Sequence, residues 1–79
     1  MSPTVFREGP YRFYFFSREE PRKHVHVMGP DGEAKFWLEP SVELAVANGI
    51  SPRSLRTVEA IVENRKQEII DAWYRHFSG

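Results

Sequence analysis

The chain has 79 residues with eleven Lys and Arg against eleven Asp and Glu, a formal net charge of zero, and no cysteine. Neutrality removes any whole-molecule attraction to nucleic acid or anionic membrane, and the missing thiols exclude disulfides, thiolate zinc sites and cysteine nucleophiles. A single domain of this size buries only about 60 % of the surface its unfolded chain exposes, so the core must draw on the six Phe, three Tyr and two Trp.

Hydrophobic period divides the chain, near two in residues 1–50 and near 3.6 in 51–77. Thr4 to Arg7 is a short apolar-containing run closed by the turn signal Glu8-Gly9-Pro10, and the aromatic run Tyr11 to Phe16 reads as a strand. Polar Ser17 to Arg22 reads as a loop. His24 to Met28 and Glu33 to Leu38 flank Gly29-Pro30-Asp31-Gly32, where Pro presets φ and Gly permits φ above zero, so they form a hairpin. Ser41 to Asn48 fits either a short strand or a helical turn, ended by Asn48-Gly49.

Ser51-Pro52 is a helix start, because Ser accepts first-turn N–H bonds and Pro at the first helical position gives up no bond. Leu55, Val58, Ile61, Val62, Ile69, Ile70, Trp73 and Phe77 then recur at three- and four-residue steps, predicting one helix to Phe77 whose weak point is the polar run Asn64 to Gln67. Asp71 and Arg75 form an i,i+4 pair on its wet face. The expectation is one α+β domain over 1–79, with an antiparallel sheet of three to four strands packed against one long C-terminal helix.

The hairpin register follows from the turn. It pairs Met28 with Glu33, Val27 with Ala34, His26 with Lys35, Val25 with Phe36 and His24 with Trp37, and every pair joins like with like. Val25, Val27, Ala34, Phe36 and Leu38 then face the core, joined by Phe13 and Phe15. The opposite face holds Arg12, Tyr14, Phe16, His24, His26, Lys35, Trp37 and Glu39. Trp, Tyr, Phe and Arg together are the composition of an interface centre or a base-stacking platform, and monomers seldom leave such a patch idle.

Three readings compete for His24 and His26. As a metal pair they lack ligands, since Glu39 is the one obvious carboxylate on their face and Lys35 opposes a cation. As acid and base they could cleave RNA without metal, with Lys35 or Arg12 stabilising the developing charge. The ordinary reading makes them the polar side of a half-solvated hairpin, with His24 against Trp37, or part of a binding surface. No Walker loop, GxGxxG, GxSxG or HExxH occurs, so no cofactor is expected. The N-terminus has no signal-peptide pattern and no apolar run could span a bilayer, so the expected location is the cytoplasm.

The blocks PTVFREGPYRFYFFSREE (3–20), HVHV (24–27), GEAKFWLEP (32–40), NGIS (48–51) and AWYRHF (72–77), in that order, resemble the small bacterial family called domain of unknown function 4160. Lys23 stands where the family often has proline before its HxHV, a local difference in the loop. The resemblance implies signature positions His24, His26, Lys35, Trp37 and Glu39, and a cytosolic bacterial module often encoded beside a second small domain in two-gene, toxin–antitoxin-like units. The leading expectation is therefore a non-enzymatic protein-interaction module, paired with a small partner encoded nearby or with itself. A metal-independent ribonuclease-like toxin using the HxH pair is the alternative, and a metal-binding module the third reading.

Overall fold

Five strands and two helices follow one another as β1 (Thr4–Glu8), β2 (Tyr11–Tyr14), β3 (His24–Gly29), β4 (Gly32–Trp37), β5 (Glu43–Asn48), α1 (Pro52–Asn64) and α2 (Lys66–Phe77). They are seen in a computed structural model that describes residues 4–16 and 21–77, so residues 17–20 of the expected loop lie outside the described residues. The strands form one antiparallel sheet in the order β1-β2-β3-β4-β5, each paired with its sequence neighbour.

The sheet thus has five strands where three to four were expected. Residues 43–48 are a strand because β4 offers them an open ladder: Glu33 pairs with Asn48, Ala34 with Ala47 and Lys35 with Val46, then a bulge shifts Phe36 onto Leu44. The central hairpin adopts the predicted register over all five pairs, His24 with Trp37 through Met28 with Glu33, and Leu38 N–H extends it to the Lys23 carbonyl at 3.0 Å.

The helical half is also split. Ser51, in extended geometry, accepts the Ser54 N–H on its Oγ at 3.1 Å, and Pro52 opens α1. The helix then breaks at Arg65, inside the polar run 64–67, so one predicted helix is two. Arg65 leaves helical geometry at φ −110° and ψ 22°, yet its N–H still reaches the Ile61 carbonyl and its own carbonyl accepts from Ile69. Its guanidinium forks onto both oxygens of Glu68 at 2.9 Å, reaches Glu8 of β1 at 2.9 Å and covers the Phe6 ring at 3.4 Å. The break is therefore clamped to the β1 edge. Asp71 accepts from Gln67 at 3.0 Å.

One face of the sheet buries Phe13, Phe15, Val25, Val27, Ala34, Phe36 and Leu38 against Val58 and Val62 of α1 and Ile69 and Trp73 of α2. Val42 and Ile50 close the core at the start and end of the β5 region, while no residue of β5 itself belongs to it.

The Arg65 clamp carries a pH dependence. The guanidinium holds the Glu68 carboxyl below its ordinary value, chiefly through their hydrogen bonds. A depressed folded-state pKa stabilises the fold above the unfolded-state pKa, and that contribution is lost as pH falls through the folded one. Acid unfolding followed from about pH 6 to about pH 2 should therefore be shallower in Glu68→Gln than in the wild type. Identical profiles would remove the clamp as a source of acid sensitivity.

Candidate functional site

The sheet face away from the helices is built by alternate residues of β2, β3 and β4, as strand geometry dictates. Its centre is an aromatic cluster. The Tyr14 and His26 rings stack at 5.4 Å, and Phe16 lies edge-on to His26 at 4.4 Å and to Tyr14 at 5.5 Å. Arg12 covers Tyr14 at 4.6 Å, and its Nε donates to Thr4 Oγ1 at 2.7 Å. Packing seals Tyr14 to 4 % exposure, while Phe16 stays 43 % exposed. Farther along the face, the Trp37 ring carries the Arg22 guanidinium at 4.3 Å and the Lys35 ammonium at 4.4 Å. Arg22 also reaches Glu43 at 3.7 Å, so the loop before β3 is tied to the start of β5.

The two histidines, adjacent in register, part company in three dimensions. His24 is fully buried. The end of α2 reaches it, placing Trp73 at 5.2 Å opposite Trp37 at 5.5 Å, and Lys23 beside it lies over Tyr74 at 4.8 Å. His24 Nδ1 lies 2.6 Å from the Arg22 carbonyl, which can only accept, so Nδ1 carries the proton. Hydrogen bonding to Tyr74 first, and to Glu39, raises the Lys23 pKa. His26 remains half-buried at the surface, 5.2 Å from His24.

Of the eight residues expected on this face, Arg12, Tyr14, Phe16, His26, Lys35 and Trp37 share it. His24 is drawn under the helix end, and Glu39 lies past β4, exposed and 3.4 Å from Lys23. A pocket of about 200 Å³ opens between Tyr14, Phe16, His26, Lys35, Val46 and Asn48, with Glu33 at its rim. Sequence reasoning missed Val46 and Asn48. The signal in the sequence is the alternation of Val46 with Asn48, and the bulge at Ala45, which turns Leu44 to the Phe36 side, hides its extension to Leu44.

An acid–base pair acting on RNA needs both imidazoles at the surface, and the His24 ring is enclosed. Among the described residues no group of three or more His, Cys, Asp or Glu could hold a metal ion. No helix among them is long and apolar enough to cross a membrane.

A five-stranded antiparallel meander backed by a broken helix, with one face left open and aromatic, defines a small α+β domain with an exposed sheet face. The chain belongs to the family described as Domain of unknown function (DUF4160), whose model matches residues 11–74. No curated protein and no solved structure matches it.

Proposed function

We propose that the chain is a protein-interaction module whose open sheet face docks a small partner protein, one half of a two-gene, toxin–antitoxin-like pair in the bacterial cytoplasm. One observation carries the reading. Three of the large apolar side chains that the sheet leaves exposed, Phe16, Met28 and Val46, each 43–45 % accessible, lie on the open face. Arg12, Arg22 and Lys35 sit among them, giving the mix of aromatic, Met and Arg groups typical of interface centres. The resemblance to a family encoded in gene pairs supports the same reading.

The test is size-exclusion chromatography and calorimetry with the product of the adjacent small gene. A complex is expected, with Phe16→Asp weakening it by about tenfold or more while costing the fold only about 1 kcal/mol, because the Phe16 ring is partly buried against Tyr14 and His26. Failure of the wild type to bind would overturn the proposal. The ribonuclease reading retains His26 and Lys35, which are Cα partners across the hairpin. Equal RNA cleavage by wild type and His26→Ala, or none by either, would end it.

A further inference from the structure

Two arginines face each other on the open side of the sheet. Arg7 of β1 and Arg12 of β2 are Cα partners, and residues directly opposite in an antiparallel pair point to the same face. That face is the open one, because Arg12 covers Tyr14. Like charges so placed oppose strand pairing, and the row brings no carboxylate beside them: Arg12 is followed by Met28, and Glu33 comes one strand farther on. Elsewhere on the face Arg22 and Lys35 lie over Trp37. The described strands turn two carboxylates to this side, Glu33 and Glu43, and Arg22 already meets the second at 3.7 Å. Among the described residues, cations therefore outnumber carboxylates on this one face of a chain whose total charge is zero.

We infer that the partner docked here presents an acidic segment with one large apolar side chain, its carboxylates meeting the Arg7–Arg12 pair and Lys35 while the apolar group enters the pocket beside Lys35. The inference rests on the reading of the open face as a docking surface and names the chemistry of what docks. The pocket of about 200 Å³ has the scale of a single side chain, with Tyr14, Phe16 and Val46 as its apolar wall. Lys35 lines it and is the cross-strand partner of Val46, so an anchor and a carboxylate can come from neighbouring residues. A cation held over a ring keeps its charge but has lost side-chain freedom, which lowers the ordering cost of binding a carboxylate.

The same contacts disfavour nucleic acid. Base stacking needs open ring faces, whereas Tyr14 is 4 % exposed and two cations occupy Trp37. The arginine pair repels a basic segment, so the face selects as well as attracts.

Arg7→Glu makes the test sharp, because it turns a like pair into an opposite one. Its thermal midpoint should rise by roughly 2–5 °C while acidic binding weakens. Nuclear magnetic resonance titration of the isotope-labelled chain compares three probes: a short peptide of Asp and Glu with one central Trp, the same peptide with Lys at the acidic positions, and an oligouridylate of equal charge. The acidic peptide should move the amides of Arg7, Arg12, Lys35 and Val46 with a Kd below about 1 mM at low salt. Arg7→Glu, or about 0.3 M salt, should weaken it roughly tenfold or more, and Ala in place of its Trp should leave Val46 unmoved. A lower midpoint or an equal affinity in Arg7→Glu overturns the inference, as does equal binding of the lysine peptide or tighter binding of the oligouridylate. An adjacent-gene product that binds wild type and Arg7→Glu equally at both salt concentrations overturns the acidic partner and leaves docking on the open face standing. Binding of the acidic peptide without that product does the reverse, keeping the acid-binding surface and removing the gene pair.

Discussion

His24→Ala should unfold far more easily than His26→Ala, although the two histidines are one residue apart and point from the same strand. Removing the His24 ring empties a site enclosed by Trp37 and Trp73 and leaves the Arg22 carbonyl without its donor. A buried large-to-small change that also strands a polar group costs about 2–4 kcal/mol. In a domain of this size that lowers the thermal midpoint by roughly 10–25 °C. His26→Ala removes a half-buried ring from Tyr14 and Phe16 and should cost about 1 kcal/mol. His24→Asn, which keeps a short donor, should recover part of the loss. Thermal unfolding of the three variants decides the matter. Equal losses at the two positions would mean that His24 is not the structural member of the pair, and a functional account resting on both rings would regain its basis.

Gly32→Ala should be the most damaging single-methyl change in the chain. A Cβ there would run into the Asn48 carbonyl oxygen and stand 2.5 Å from Ile50 N and 2.6 Å from Gly49 C, all of them backbone. The tip of the β3–β4 hairpin sits directly on the link from β5 to α1. There Asp31 accepts the Ser51 N–H at 3.2 Å, and Gly49 turns the chain at φ +77°. No side chain can rotate away to make room, so the hairpin must lift off the link. The cost should be about 3 kcal/mol or more, at the upper end for an inserted methyl group. Gly9→Ala is the control. Gly9 has φ +57°, and a methyl group on its Cα would have no neighbour within 4 Å, so only the backbone penalty of about 1–2 kcal/mol applies. Urea unfolding of both variants measures the difference, and a Gly32→Ala protein as stable as Gly9→Ala would contradict the close approach. The effect bears on the site, because Glu33 and Asn48, adjacent to this contact, both line the pocket.

Much of the frame was legible because its signals are local. The turn at Gly29 to Gly32 and the alternation on either side set the β3–β4 register without help from the rest of the chain. Phe13 and Phe15 fall on the buried face by the same alternation, and the Ser51-Pro52 start and the stripe from Val58 to Trp73 follow from capping chemistry and helical period. Of the six residues that share the open face, His26, Lys35 and Trp37 came with that register, and Arg12, Tyr14 and Phe16 with the alternation along residues 11–16.

The remainder depended on groups distant in sequence. β5 became a strand because β4 offered a partner, a choice that the residues Glu43 to Asn48 do not make alone. The helix broke at Arg65 where Glu8, 57 residues earlier, is in place to bind its guanidinium. His24 and His26 carry the same residue type and face by the period-two rule, yet Trp73 from the far end of the chain buries one and leaves the other at the surface. Sequence by itself determined which residues alternate, which turn and which cap, because those preferences act over a few bonds. Only the tertiary structure decided which of them are covered, because burial depends on what another element brings to the same place.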